Sequence, residues 1–242
     1  SDDAPESAEE GVEVPAYWNN KDLGTNFDVA ELASEDVREA VQRMIHSTFK
    51  NVSTSDRKGD AMPRGLKVVE VRRVENSSLW KRYARMRLGI MAKRAHRCTA
   101  LAKRGGDVQT ICEEKCLAVD LQKRINEVFL WHGTSRSRAL TISHDGFSLE
   151  LAGTGSGTLY GHGVYLAECS SKSDEYSIPE GDIRCLLLCR AVLGESLTLT
   201  AGGEAIHAMV RAAIDSKVYD SVLGDREASV GTYREFVVYN EA

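Results

Sequence analysis

The chain has 242 residues, is 42% hydrophobic and carries a formal net charge of −5 at pH 7. That length and apolar share can bury a core of one or two domains, and we expect one domain with an N-terminal extension. No apolar run approaches the roughly 18 residues of a bilayer span, and no charged-then-apolar leader opens the chain, so we expect no membrane partner.

Six cysteines in a chain of this length do not form a disulfide scaffold, so we expect an intracellular, reducing compartment, nuclear or cytoplasmic. Cys112 and Cys116, like Cys185 and Cys189, stand four residues apart. That spacing lacks the C-x-x-C pair of many zinc sites and no histidine stands at ligand spacing, so we expect free thiols and no metal. The opening Ser1 leads us to expect a fragment or a processed product.

The N-terminal third divides into two segments. Six acidic residues precede the first basic residue, Lys21, which predicts a flexible extension over residues 1–33. Residues 34–65 predict a helix and a loop, because apolar residues recur at helical spacing behind Ser34, an N-cap candidate, and Ser, Gly and Pro then follow. We expect the main domain to span residues 66–242.

A basic segment lies near the start of that domain. Residues 66–74 predict a strand and Asn76 predicts the N-cap of the next helix. No acidic residue occurs over residues 76–106, whereas nine basic residues do. One interpretation is a polyanion-binding site over residues 81–104 that contacts phosphates. The alternative, which the scarcity of stacking aromatics favours, is the solvated face of a helix.

Three apolar runs carry polar residues of chemical interest at their ends. The run 127–131 leads into His132, glycines precede Tyr165 in a short buried strand, and Glu235 opens the run 235–239. Functional residues collect where buried strands meet loops. His132, Tyr165 and Glu235 therefore predict a site.

The other predicted elements fix the fold class. The sequence predicts a helix over 137–144, a glycine-rich loop over 152–158, strands over 183–192 and 217–223, and a helix over 202–214. Strands with few crossover helices predict an α+β domain with a split antiparallel sheet rather than a doubly wound one.

Four motifs in order carry a resemblance to a known family. They are Leu130-Trp131-His132-Gly133-Thr134, Tyr160-Gly161-x-Gly163-Val164-Tyr165-x-Ala167, Ser171-Lys172-Ser173-x-x-Tyr176 and Glu235-Phe236-Val237-Val238-Tyr239. From about Leu66 to its end, the chain resembles the catalytic domain of poly(ADP-ribose) polymerases, diphtheria-toxin-like ADP-ribosyltransferases of the His-Tyr-Glu type. The resemblance implies the ADP-ribosyltransferase fold, with split antiparallel sheets and flanking helices.

The resemblance also implies roles for the matched residues. His132 hydrogen-bonds a ribose hydroxyl on the adenosine side of NAD, while Gly133 and Ser173 hold the nicotinamide amide. Tyr176 stacks on the nicotinamide ring, Tyr165 lines its other side, and Glu235 binds the 2′-hydroxyl of the nicotinamide ribose. The implied catalytic set is Glu235, His132 and Tyr165. The implied NAD-binding set is His132, Gly133, Thr134, Tyr165, Ser173 and Tyr176.

The implied function is NAD-dependent ADP-ribosyl transfer to protein acceptors, with NAD as the substrate. Glu235 permits poly(ADP-ribose) synthesis, because several family members with a hydrophobic residue there transfer single units. Mono-ADP-ribosyl transfer stays open, as does a catalytically silent module that binds NAD or ADP-ribose. The basic segment 81–104 would bind nucleic acid or ADP-ribose polymer. Because relatives usually continue beyond the position of Ala242, we expect a truncated C-terminal end.

Overall fold

The computed structural model describes residues 12–57, 61–94, 96, 98–99, 101, 110, 117, 121–152 and 158–242. Strands and short helices alternate along this part of the chain, and a 3₁₀ turn at Lys123–Ile125 precedes the third strand. The helices and strands are β1 (Asp28–Leu32), α1 (Glu35–Ser47), β2 (Arg72–Asn76), α2 (Ser77–Lys93), β3 (Glu127–Thr134), α3 (Arg136–Asp145), β4 (Val164–Ala167), α4 (Ser170–Asp174), β5 (Cys185–Val192), β6 (Ser196–Leu199), α5 (Glu204–Asp215), β7 (Ser221–Asp225), α6 (Arg226–Val230) and β8 (Arg234–Val238).

The described strands form two sheets. β1 pairs with β2, and the larger sheet has the order β5-β3-β4-β8-β7-β6. Its neighbours are antiparallel except for the parallel pair β6–β7 at one edge. β3 and β4 meet through the single register pair Trp131–Ala167, after which the two strands diverge. The predicted α+β fold with split antiparallel sheets is confirmed.

Strand alternation gives the larger sheet two packed faces. Leu130, Leu166 and Phe236 belong to the core on one face. Trp131 faces the other way and packs against α1, where its indole N–H donates to Thr48 Oγ1 at 3.2 Å. Helix α5 packs on the same side through Val210. Both faces of the central strands are therefore covered.

Residues 13–33 pack against the domain, whereas the sequence predicts a separate extension over 1–33. β1 runs antiparallel to β2. The buried carboxylate of Glu75 accepts hydrogen bonds from the backbone N–H groups of Asn19 and Asn20 at 2.8 and 3.0 Å. Trp18 is buried, and its ring contacts that of Trp80 in α2 at a tilted angle, with centroids 5.6 Å apart. Residues 1–11, which hold most of the acidic run, lie outside the described residues.

The predicted helix behind Ser34 forms as α1, although Ser34 makes no side-chain cap hydrogen bond. The strand predicted over 66–74 begins only at Arg72. Gln42 of α1 explains the difference, because its amide donates to Leu66 O and accepts from Val68 N, at 3.0 and 2.7 Å. A side chain thus takes the backbone hydrogen bonds that a neighbouring strand would have made.

Helix α2 begins as predicted, since the Asn76 side chain accepts from Leu79 N at 3.0 Å. Much of the positive charge on its segment is paired inside the fold. Arg87 contacts Glu127, and Lys93 and Arg94 both contact Asp220. These partners compete with phosphate for the same cations. Polyanion binding over residues 81–104 therefore stays a prediction; Arg97, Lys103 and Arg104 lie outside the described residues.

Three further observations concern the remaining predictions. Over the described residues, no helix combines the length and apolar character of a membrane span. The same residues contain no group of three His, Cys, Asp or Glu side chains arranged to hold a metal ion, and Cys185 and Cys189 are free thiols. The pair Cys112 and Cys116, and residues 153–157 of the predicted loop, lie outside the described residues.

Candidate active site

Three strands and one short helix position the predicted site residues. His132 stands near the end of β3, Tyr165 in β4 and Glu235 in β8. Ala167 pairs with Glu235 and Tyr165 with Val237, so alternation places Tyr165 and Glu235 on the same face of the sheet. Helix α4 follows β4 directly and carries the Ser-Lys-Ser motif against that region.

His132 lies where β3 and β4 diverge. Its Nδ1 is 3.0 Å from the backbone carbonyl oxygen of Tyr165, and its ring meets Phe147 edge to face, with centroids 5.0 Å apart. Burial lowers the pKa of His132, although the hydrogen bond to Tyr165 opposes that change. A neutral ring that donates from Nδ1 to a carbonyl leaves Nε2 as an acceptor. His132 is thus prepared to accept a hydrogen bond from a hydroxyl.

The Tyr165 ring is fixed by backbone groups. Its hydroxyl donates to Gly161 O at 2.8 Å and accepts from Tyr160 N at 2.9 Å. Gly161 has a φ of +83°, a conformation that side chains disfavour. Burial raises the pKa of Tyr165, so the phenol stays protonated. The glycine-rich turn before β4 therefore serves to hold one aromatic ring.

Gly133 brings β3 and α4 into close contact. A Cβ atom on Gly133 would lie 1.7 Å from the carbonyl oxygen of Ser173. A side chain at this position would therefore collide with the α4 backbone. Ser173 is itself buried, as is Thr134, which pairs with Cys185 at the end of β3. Glycine is therefore required for the packing of the site.

Glu235 is 7% exposed, and its nearest charged partner is Lys172. The distance from Glu235 Oε1 to Lys172 Nζ is 3.6 Å. Burial raises the pKa of the Glu235 carboxyl, and the Lys172 ammonium opposes that rise. The charge on Asp56 adds to it. Arg226 opposes the rise as well. The carboxylate is thus buried among opposing charges, which suits it to a role in which charge matters.

Lys172 contacts three carboxylates. Besides Glu235, its Nζ lies 2.7 Å from Asp56 Oδ2 and 3.2 Å from Glu175 Oε2. Burial alone would lower the pKa of Lys172, but the charge of Glu235, the neighbouring Tyr176 and the contact with Asp56 raise it overall. The ammonium is therefore fixed as a cation between Glu235 and the segment that carries Asp56.

Tyr176 follows α4 and is 36% exposed, so part of its ring is accessible. Its hydroxyl donates to Asp56 Oδ2 at 2.7 Å. Lys172 Nζ lies 5.0 Å from the ring centroid. A ring held at its edge and beside a cation presents a defined surface for stacking.

A buried ion pair stands immediately beside the predicted site residues of β4 and β8. Arg234 donates to both carboxylate oxygens of Glu168 at 2.7 Å each. Glu168 follows Ala167 of β4 and Arg234 precedes Glu235 of β8, so the pair joins the two strands at the level of the site. Bidentate pairs of this kind fix geometry well.

Contacts join most of the predicted site residues into one cluster. His132 reaches Tyr165, Gly133 packs on Ser173, and Lys172 reaches both Glu235 and Tyr176. The sequence assigns no role to Lys172 or Asp56. Lys172 stands inside the quoted Ser-Lys-Ser motif, a signal that was available, whereas nothing local marks Asp56 in a polar loop.

Comparisons with known proteins identify the family. A family model described as "Poly(ADP-ribose) polymerase catalytic domain" matches residues 43–242. "Poly [ADP-ribose] polymerase tankyrase" of Caenorhabditis elegans is 34% identical over 106 residues, which is 42% of this chain and 5% of that protein. "Protein mono-ADP-ribosyltransferase PARP10" of Mus musculus is 46% identical over 63 residues, which is 25% of this chain and 6% of that protein.

These relatives are much longer than their matched parts, so each likeness concerns a small share of the relative. The family model, by contrast, covers most of this chain and begins inside α1, upstream of the domain start that the sequence predicts at residue 66. It includes His132, Tyr165 and Glu235 together with α4. The chain therefore belongs to the poly(ADP-ribose) polymerase catalytic-domain family.

Proposed function

We propose that the protein is an NAD-dependent ADP-ribosyltransferase that moves ADP-ribose from NAD to protein acceptors. The observation that carries the proposal is the buried Glu235 carboxylate held by Lys172 beside the partly accessible ring of Tyr176. Family membership supports the same chemistry. The names of the two relatives, a poly [ADP-ribose] polymerase and a protein mono-ADP-ribosyltransferase, are consistent with it.

The reaction breaks the glycosidic bond between C1′ of the nicotinamide ribose and the nicotinamide nitrogen. Nicotinamide leaves with the bonding electron pair, which neutralises its ring charge, and the ribose passes through an oxocarbenium-like state. An acceptor atom then forms a bond to C1′ and loses its proton. The transferred group is a pentosyl group, and no phosphate bond is broken.

Glu235 is suited to both halves of that reaction. Its carboxylate would accept a hydrogen bond from the 2′-hydroxyl and favour the positive charge that develops on the ribose. It would also orient an acceptor hydroxyl and take its proton. Lys172 supports these roles because it opposes the rise in the pKa of Glu235 that burial causes.

The remaining residues would bind and orient NAD. Tyr176 would stack on nicotinamide, with Ser173 and the Gly133 backbone holding the amide. Neutral His132 would accept a hydrogen bond from an adenosine-side hydroxyl through Nε2, and Tyr165 would close the other side of the nicotinamide site. Fixing one reactive conformer lowers the entropic part of the barrier.

We further propose that the protein extends chains of ADP-ribose, since Glu235 permits elongation. Mono-transfer is the second candidate, supported by the likeness to a mouse mono-ADP-ribosyltransferase. A silent binding module is a third, which the presence of His132, Tyr165 and Glu235 disfavours. The free thiols of Cys98 and Cys185 support an intracellular, nuclear or cytoplasmic, location.

The test is incubation of the purified protein with labelled NAD and a mixture of candidate acceptor proteins, with products separated by gel and identified by mass spectrometry. A ladder or smear that Glu235→Gln abolishes would support polymerisation. A single discrete adduct would support mono-transfer. Binding of NAD without any adduct would contradict transferase activity and favour the silent module.

A further inference from the structure

Residues 50–57 form a segment, here called the strap, that lies against α4 and Tyr176. Val52, Thr54 and Asp56 are half-buried, whereas Ser53 and Ser55 between them are exposed. This alternation leaves one side of the strap turned to the protein. Ser55 and Asp56 form a turn, in which the Arg57 N–H donates to Thr54 O at 3.2 Å. The strap lies inside the region that the family model matches but outside the four motifs, so the motifs assign no catalytic role to it.

Several hydrogen bonds fasten the strap to the site, among them those that Thr54 and Arg57 make on either side of Asp56. The N–H and hydroxyl of Thr54 both donate to the Glu175 carboxylate, at 2.9 and 2.7 Å. The Arg57 guanidinium donates to Asp174 at 2.9 Å, and the two side chains are only 4% and 0% exposed. Asp56 stands between these two anchors, so its position is set from both sides.

Asp56 makes two contacts to residues of the proposed site. Its Oδ2 accepts from the Tyr176 hydroxyl and from Lys172 Nζ, at 2.7 Å each. The hydroxyl is the far end of the ring whose face would stack on nicotinamide. Lys172 is the cation that holds Glu235. Asp56 Oδ2 therefore contacts the Tyr176 hydroxyl directly and is linked to Glu235 through Lys172.

We propose that Asp56 is a positioning residue for the nicotinamide subsite, which orients the ring of Tyr176 through its hydroxyl. The proposal rests on the proposed function, since it assumes that Tyr176 stacks on nicotinamide. A ring free to rotate must be ordered when the ligand binds, and that ordering costs affinity. Asp56 orders the ring beforehand, and a hydrogen bond to a carboxylate is strong enough to do so.

The test is a double-mutant cycle read by calorimetric binding of 3-aminobenzamide, a nicotinamide-like probe, which needs no turnover. Asp56→Ala removes the acceptor and Tyr176→Phe removes the donor while keeping the ring. Each change should weaken probe binding about 10-fold. The double variant should bind no worse than Asp56→Ala alone, because that change already removes the hydrogen bond between Asp56 and the Tyr176 hydroxyl.

Two further variants separate positioning from general support of the loop. Asp56→Asn keeps an acceptor for the Tyr176 hydroxyl, so it should restore most of the probe affinity lost in Asp56→Ala. Thr54→Ala loosens the strap at Glu175 without touching Tyr176, and should change affinity less than about 3-fold. Exposed Ser55→Ala serves as the control for substitution in the strap.

Several results would overturn the inference. Additive losses of about 100-fold in the double variant would show that Asp56 and Tyr176 act separately. An equal loss in Thr54→Ala would show that strap attachment alone matters. If the unmodified protein turns over NAD and binds the probe but the cycle shows no coupling, only this inference fails. If the unmodified protein neither turns over NAD nor binds the probe, the proposed function fails as well.

Discussion

The two sides of the site are built from different chemistry. The charged side consists of Lys172 with Glu235, Glu175 and Asp56, all within 3.6 Å of the ammonium. The neutral side is formed by His132, whose ring is held by a backbone carbonyl and an aromatic edge. The charged groups are thus concentrated near Glu235, where the proposed reaction develops charge on the ribose. The neutral side provides packing and single hydrogen bonds.

The difference matters for how each side responds to change. Groups on the charged side share one cation, so removing it affects three carboxylates at once. His132 depends on one carbonyl and on local packing, so its loss should stay local. Non-additive effects are expected on the charged side and additive ones across the two sides.

The largest expected effect comes from removing the shared cation. Lys172→Met should lower the free energy of unfolding by about 3–5 kcal/mol at neutral pH, because it leaves buried carboxylates unpaired. Lys172 opposes the rise in the pKa of Glu235, so without it that pKa rises further. The destabilisation should therefore shrink as the pH falls through the raised pKa and the carboxyl takes up its proton.

Chemical denaturation at several pH values measures this effect, with Lys172→Arg as the charge-conserving control. A loss of stability that does not change with pH would contradict the shared-cation description of the charged side.

Glu235→Gln should separate catalysis from binding. We expect turnover of NAD to fall by about 10²–10³-fold, the usual scale for one preorganised electrostatic contact, while binding of 3-aminobenzamide changes little. Steady-state kinetics measure the turnover of NAD, and calorimetry measures the affinity for 3-aminobenzamide. Glu204→Gln, at an exposed position, is the matched control. Unchanged turnover in Glu235→Gln would remove the assigned role.

Gly133→Ala tests the junction between the two sides. The added Cβ would lie 1.7 Å from Ser173 O, so backbone must move, at a cost of about 1–3 kcal/mol of stability. Gly89→Ala in α2 is the matched control, because nothing lies within 4 Å of its Cβ. That change should stabilise the protein by up to about 1 kcal/mol. Thermal unfolding of both variants shows whether Gly133→Ala lowers the stability while Gly89→Ala raises it.

The sequence predicted some of these features because their causes are local. The cap at Asn76 needs only the N–H of Leu79 three residues on. The parallel strand β6 was missed, since four residues become a strand only by pairing with β7. Asp56 was missed for a similar reason: its contact with Lys172 spans 116 residues, and neither residue marks the other in the sequence.

The smallest predicted effect concerns the neutral side. His132→Ala should raise KM for NAD about 10-fold with a smaller change in kcat, as expected for one hydrogen bond in binding. Burial lowers the pKa of His132, so the ring stays neutral until the pH falls below the ordinary histidine range. Exposed His144→Ala is the control and should leave KM unchanged. A fall in kcat alone would place His132 on the reacting side.

The single pair Trp131–Ala167 gives the larger sheet a seam. β3 is tied to β5 along its whole length, from Glu127 to Thr134, but within the described strands it meets β4 at that one position. Separating β3 from β4 therefore breaks far fewer backbone hydrogen bonds than separating β3 from β5. Within the described strands, the larger sheet therefore consists of two parts that one register pair joins, and the residues proposed to bind NAD come from both parts.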